Sequence, residues 1–286
     1  MIADTGVQLP DGRVLAYCEV GDVDGRPVFA CHGGLSCRLE VRFAEEVCAR
    51  SGVRLIAPDR PGIGGSDRQA GRRIDDWPRD VSALADALGL ERFAVMGWSA
   101  GGPYALACGA LLPERVTRVA GVAGIAPLCA GDVRQLGLLA DRLLFPLAAH
   151  APGVAALSLS VACRVPRAVL QQVVGLALRS VHDPDVAELG DPGAGEVAAN
   201  LLESLRQGGA GTARDYRLLA KDWGFPLRRT GVQADVWHGE ADGMVPPAHA
   251  RRLAGALPRG HLRLVPGRGH FLLRWHLEEV LQALLA

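Results

Sequence analysis

Three short stretches of the chain hold residue types that together support nucleophilic catalysis. Gly97-Trp98-Ser99-Ala100-Gly101 has the form G-x-S-x-G. Small flanking residues let a serine occupy a sharp strand-to-helix turn without a clash. Such a turn presents the hydroxyl at the carboxyl end of a sheet, where open α/β sheets bind ligands. The helix that follows offers free N–H groups and the positive end of its dipole, so the Ala100 N–H is placed to stabilise an oxyanion. The plainer alternative is a Gly-Ser turn with no chemistry.

A serine nucleophile needs a base and an acid that orients it. Of the eight histidines, His270 stands out, because Gly267-Arg268-Gly269-His270-Phe271 separates a strand-like run from the last helix. His32 precedes a Gly-Gly turn and reads as structural. His238 ends a strand beside an acidic loop, and His150, His182, His249, His261 and His276 read as solvent-facing or packing residues. The acidic loop, Gly239-Glu240-Ala241-Asp242-Gly243-Met244-Val245-Pro246, makes Asp242 the expected acid, with Glu240 as fallback. The order Ser99, Asp242, His270 is that of nucleophile, acid and base on α/β sheets. His32-Gly33-Gly34-Leu35 follows an earlier strand and can aim a second N–H, that of Gly34, at the oxyanion. Leu35, Trp98, Met244 and Phe271 are the expected pocket residues. Trp98 either lines the pocket or packs beneath it, and the sequence leaves both open.

The elements that must position these residues are legible from periodicity. Val7–Leu9 and Arg13–Val20 alternate around Pro10-Asp11-Gly12, a hairpin signal. Apolar runs at Val28–Cys31, Val53–Ala57, Phe93–Met96 and Val116–Ala123 alternate with helical patterns at Val41–Ser51, Trp77–Leu88 and Pro103–Leu112. That alternation means βαβ units and a parallel sheet covered on both faces. From Pro127 to Trp223 the periodicity is helical throughout, with Gly190–Gly195 expected as a loop. Strand and helix then alternate again at Ala234–His238, Pro247–Ala256, His261–Val265 and Leu272–Leu285.

The 286 residues carry 31 Lys plus Arg and 31 Asp plus Glu, for zero formal charge. That balance argues against nucleic acid as a partner and against a polybasic membrane-surface mode. With 49% hydrophobic residues the chain is an ordinary globular one. The seven cysteines are scattered, with no zinc spacing, and read as small core residues in a reducing, cytoplasmic compartment. Met1–Pro10 carries Asp4 and no basic or apolar leader region. The uncharged stretch Leu143–Cys163 has the length of a membrane span, but Pro146, Pro152 and Gly153 are expected to break it into short helices.

On His32-Gly33-Gly34, Asp59-Arg60-Pro61-Gly62-Ile63-Gly64-Gly65-Ser66, Gly97–Gly102, Asp242 and Gly269-His270, the chain resembles the α/β-hydrolase superfamily with an inserted helical cap. The resemblance implies an α/β fold: a mostly parallel eight-stranded sheet flanked by helices. The core is expected at residues 1–126 and 224–286, with the cap at 127–223. It further implies Ser99, Asp242 and His270 as a triad, oxyanion donors at Gly34 and Ala100, and neither cofactor nor metal. Asp59–Ser66 is a family marker read as structural, a loop near the sheet edge. Many relatives carry proline where Leu35 stands, which leaves the second oxyanion donor open. The function expected is cofactor-free, carboxylesterase-type hydrolysis of an ester-like bond in a small, largely apolar carbonyl substrate, through an acyl-enzyme. The same triad serves C–C bond hydrolases, lactonases, acyltransferases and perhydrolases, and a non-catalytic small-molecule binding protein could share the fold. Haloalkane dehalogenases and epoxide hydrolases of this fold place Asp at the nucleophile, so Ser99 argues against both. Oligomeric state is left open.

Overall fold

The computed structural model describes residues 5–286, so residues 1–4, Asp4 among them, lie outside the described residues. Eight strands form one sheet: β1 (Thr5–Gln8), β2 (Val14–Gly21), β3 (Arg26–Cys31), β4 (Val53–Pro58), β5 (Phe93–Trp98), β6 (Val116–Val122), β7 (Gln233–Gly239) and β8 (Gly260–Val265). Their spatial order is β1-β2-β4-β3-β5-β6-β7-β8. The first two pairings, β1/β2 and β2/β4, are antiparallel, and the other five are parallel. This is the mostly parallel eight-stranded sheet that the resemblance implies.

Alternation within a strand divides the core into two layers. On β5, Phe93 and Val95 join the cluster beneath α2 (Trp77–Ala87), α3 (Gly102–Leu111) and α10 (Ala248–Ala256). Ala94, Met96 and Trp98 face the opposite cluster, with α1 (Glu45–Arg50) and α11 (Leu273–Leu285). Helix α2 forms because Trp77, Val81 and Leu84 recur at helical spacing, and all three are buried. Gly89, with φ of 70°, follows its end as expected.

Between β6 and β7 the chain forms α4 (Asp132–Gln135), α5 (Leu139–His150), α6 (Pro152–Ala162), α7 (Arg167–Arg179), α8 (Pro184–Ser204) and α9 (Ala210–Leu219). Helices α5, α6 and α9 pack together, and α7 packs on α8. Two local expectations are corrected here. Gly190–Gly195 is not a loop: only Gly190 leaves helical geometry (φ 59°, ψ −162°), and Gly193 to Gly195 continue α8. Pro146 does not break the Leu143–Cys163 stretch, since it sits inside α5, and the break falls at Ala151 before Pro152. Among the described residues no single helix is long and apolar enough to cross a membrane. The cysteines are all free; Cys18, Cys31, Cys37, Cys48 and Cys108 are buried, whereas Cys129 is exposed.

A buried ionic network joins α9 to the loops at the carboxyl end of the sheet. Asp215 of α9 receives Arg60 Nε at 2.8 Å, Arg72 Nη2 at 2.5 Å and the Tyr104 hydroxyl at 2.9 Å. Arg60 lies 4.6 Å from the Tyr104 ring centroid and donates to the carbonyls of His32 and Gly33. Its own backbone N–H donates to His32 Nε2 at 3.2 Å, which leaves Nδ1–H of that neutral imidazole for the Gly33 carbonyl at 3.0 Å. Burial and the adjacent Arg60 charge hold His32 well below the usual imidazole pKa. Burial opposes ionisation of Asp215, but Arg60 and Arg72 outweigh it and hold its pKa well below the usual carboxylate range. The Asp59–Ser66 segment is therefore structural, as expected. It does not sit near the sheet edge, however: β4 stands between β2 and β3, and the segment underlies the His32–Leu35 loop.

Two outcomes follow. A Cβ on Gly101 would stand 2.0 Å from the Cys31 carbonyl oxygen. Gly101→Ala should therefore cost about 1–3 kcal/mol in urea unfolding, and an unchanged midpoint would refute this close approach. Asp215→Asn leaves two buried guanidinium groups short of a counter-charge and should cost about 3–5 kcal/mol. Because the folded pKa of Asp215 is depressed, its contribution is present above about pH 4 and is lost as pH falls through the folded value. Stability measured against pH should accordingly fall less steeply in acid for the variant than for the wild type.

Candidate active site

Ser99 directly follows β5 and holds φ at 53°, a left-handed conformation that costs a non-glycine residue roughly 1–2 kcal/mol. The turn is tight because a Cβ on Gly97 would stand 2.3 Å from the Gly101 carbonyl oxygen. The Ser99–Gly101 turn leads straight into α3, so the Ala100 N–H lies in a first helical turn, where amides lack an intrahelical partner. Opposite it, the Gly33 N–H is engaged by Glu40 Oε2 at 2.9 Å, leaving Gly34 and Leu35 to supply a second donor. Gly34 faces the nucleophile turn: a Cβ there would be 3.4 Å from the Ala100 methyl and from the Tyr216 hydroxyl. Leu35 has φ of 51°. Proline, whose ring holds φ near about −65°, cannot adopt that conformation.

His270 Nδ1 lies 2.9 Å from Asp242 Oδ2. An ionised carboxylate only accepts, so Nδ1 carries the proton and Nε2 is the basic nitrogen. Asp242 has its other oxygen tied to the Met244 and Val245 amides at 2.9 and 2.8 Å. Burial raises the cost of its charge, but the His270 and His238 imidazoles hold its pKa well below the usual carboxylate range. Burial likewise opposes the imidazolium of His270, but Asp242, with Asp183 and Asp141 behind it, holds the pKa above the ordinary value. Glu240, the fallback acid, is exposed, whereas the Asp242 side chain has no exposure. Only Asp242 meets the base.

Ser99, Ala100 and His270 face one cavity of about 290 Å³, together with Gly34. All four expected pocket residues, Leu35, Trp98, Met244 and Phe271, line it too. Both open readings of Trp98 hold. It borders the cavity, and it packs beneath the base by donating Nε1–H to the His270 carbonyl at 3.0 Å, edge-on to Phe271.

Three residues at the site carried no functional expectation. His238 Nε2 is 3.1 Å from Asp242 Oδ2 and 2.9 Å from the Val245 carbonyl, so it braces the acid loop from inside the sheet. Asp141 and Tyr216 line the cavity from α5 and α9, and the tyrosine hydroxyl donates to Asp141 Oδ1 at 2.5 Å. Burial raises the Asp141 pKa, against the pull of Tyr216 and His270. A signal for Asp141 did exist: it shares a helix face with Leu144, Phe145 and Ala148, an acid on an otherwise buried apolar stripe. Among the described residues no group of three or more His, Cys, Asp or Glu side chains is arranged to hold a metal ion.

Residues 26–144 match the family model of the alpha/beta hydrolase fold. The chain is 36% identical over 113 residues to haloalkane dehalogenase 2 of Mycobacterium tuberculosis, covering 39% of this chain and 37% of that protein. The first relatives it matches are thus aligned over little more than a third of their own length. The 2-hydroxymuconate semialdehyde hydrolase of Pseudomonas putida is 28% identical over 243 residues, covering 79% of this chain and 73% of that one. Among solved structures, a hydrolase from Pseudomonas aeruginosa superposes with a TM-score of 0.73 at 19% identity, over 99% of this chain and 98% of the other. Sheet order, matched segment and whole-chain superposition agree: the chain has the α/β-hydrolase fold.

Proposed function

We propose that the chain is a serine hydrolase that cleaves an ester-like bond of a small, largely apolar carbonyl substrate, with no cofactor or metal. The observation that carries this reading is the buried hydrogen bond from Asp242 to His270, which lines the cavity that Ser99 also lines. In the proposed reaction His270 Nε2 removes the Ser99 proton as Oγ attacks the carbonyl carbon. The Gly34 and Ala100 amides receive the oxyanion. The imidazolium, stabilised by Asp242, protonates the leaving group, and the acyl-enzyme forms. Water, deprotonated by the same nitrogen, then attacks the acyl carbon and releases acid and free serine.

Substrate class is read from the walls. Leu138, Phe145, Leu170, Val174 and Leu201, contributed by the segment between β6 and β7, surround the cavity opposite Ser99. That arrangement supports reading residues 127–223 as a cap that excludes water and selects an apolar acyl or ring group. Asp141 and Tyr216 are polar groups on this wall. Alkyl-halide displacement is not proposed, since it needs a carboxylate where this turn carries Ser99. A second reading, C–C bond hydrolysis on the same three residues, is favoured by the likeness to the semialdehyde hydrolase over most of the chain.

A fluorophosphonate probe and a panel of short-chain p-nitrophenyl esters test the nucleophile. Labelling and turnover in the wild type should both be lost in Ser99→Ala, with kcat lowered by several orders of magnitude; near wild-type turnover in the variant would remove Ser99 from the role. Asp242→Asn should lower kcat by about 10⁴, as in other triads, and Glu240→Gln should leave it near wild type. The reverse ranking would exchange the acid. The pH dependence has a definite sign. Catalysis needs neutral His270, and its pKa is raised, so kcat/KM should rise with pH through a limb above about 6.5, the ordinary imidazole value. A limb below that value would contradict the pairing with Asp242.

A further inference from the structure

Asp183 has no place in the reaction as described, yet it touches both loops that carry the acid and the base. It is the N-cap of α8, in the segment between β6 and β7. Oδ1 accepts from the Asp185 and Val186 amides at 3.0 and 3.3 Å, as an N-cap does. Oδ2 leaves the helix altogether. It accepts from the His270 amide at 2.9 Å and from the Gly243 amide, next to Asp242, at 3.0 Å. One buried carboxylate thus holds three segments that are distant in sequence.

Two glycines record how closely this contact is made. A Cβ on Gly243 would stand 2.4 Å from the His182 carbonyl oxygen, and a Cβ on Gly269 would stand 1.9 Å from Asp183 Oδ1. Each glycine adjoins one member of the acid–base pair, and each gives room to the same two-residue stretch, His182-Asp183. The neighbouring turn reinforces the contact. Asp185 Oδ2 accepts from the Gly269 amide at 2.9 Å, and Arg268 donates to Glu188 at 2.6 Å. A carboxylate suits the position because both its oxygens accept, whereas an asparagine would turn an NH₂ toward amide donors.

We infer that Asp183 is a positioning residue: it sets the spacing of the Asp242 and His270 loops, so that the acid–base pair is assembled only when the N-terminus of α8 is seated on it. The catalytic consequence rests on the serine-hydrolase reading, but the effect on His270 does not. The charge of Asp183 also bears on the imidazole. The groups that act on His270 are Asp242 in direct contact, Asp183 behind its backbone, Asp141 across the cavity and Glu40 from the oxyanion side. Asp185 and Arg268 adjoin the Asp183 contact with opposite charges.

The test compares wild type with Asp183→Asn and Asp183→Ala. Asp191→Asn serves as control, since Asp191 lies exposed on the same helix and pairs with Arg179. Ester kinetics give kcat and KM across pH, and NMR of labelled histidine follows the His270 imidazole titration. Asp183→Asn should lower kcat by about 10²-fold, the penalty of roughly 1 Å of misplacement, with little change in KM. It should also move both the acid limb and the His270 titration to lower pH, while the control matches wild type. The inference is overturned by wild-type kcat in Asp183→Asn, or by reduced kcat with the titration and the limb unmoved, since that pattern marks a merely structural residue. If Asp183→Ala does not fold, the nearly isosteric asparagine variant still decides. Failure of the hydrolase reading is separate: the wild type then shows neither labelling nor turnover, while the NMR comparison continues to report on Asp183.

Discussion

The hydrogen bond between Asp242 and His270 is the interaction on which the rest of the site depends. It pairs a buried carboxylate with a buried imidazole where water cannot replace either partner, and each group is costly there without the other. Several groups near the carboxyl ends of β7 and β8 keep the pair satisfied. The Met244 and Val245 amides and His238 saturate the acid. Trp98 holds the carbonyl of the base, and Asp183 holds its amide. The proton then has one place on the imidazole, Nδ1, and Nε2 is left free to accept.

Carboxylates bind the segment between β6 and β7 to the loops at the carboxyl end of the sheet, Asp215 and Asp183 foremost. Asp215 ties α9 through Arg60 to the carbonyls of His32 and Gly33, and Asp183 ties α8 to the acid and base loops. Its apolar residues also join both faces of the core: Phe145, Leu159 and Tyr216 on one side, Leu178 and Val186 on the other. The His32–Leu35 loop and the Asp242–His270 pair are thus each anchored from the same segment. A change there reaches both by hydrogen bonds as well as by the shape of the cavity.

Much of the fold was legible because its signals are local. Alternating apolar runs mark strands buried on both faces. Gly89 marks a helix end, and Gly97 and Gly101 mark a turn where a side chain has no room. Reading failed where a neighbour distant in sequence overrides a local rule. Gly193 and Gly195 belong by propensity to a loop, but the helix through them packs on α7, which outweighs a cost of about 1 kcal/mol per glycine. Pro146 stays within α5, where burial of Leu144, Phe145 and Ala148 holds the helix together. The sequence order of Asp59–Ser66 says nothing of its neighbours, so Arg60 could not be assigned to the oxyanion loop it supports.

The amino-acid sequence by itself determined the βαβ order, the strained serine turn, and the presence of an acid and a histidine at later strand ends, because each depends on residues adjacent along the chain. It also narrowed the acid to two candidates. Only the tertiary structure distinguishes them, by burying Asp242 against His270 and leaving Glu240 in solvent. Only the tertiary structure, too, brought Asp141, Tyr216 and Asp183 to the site. Their contacts join positions 60 to 87 residues apart, and chain periodicity carries no information about such distances.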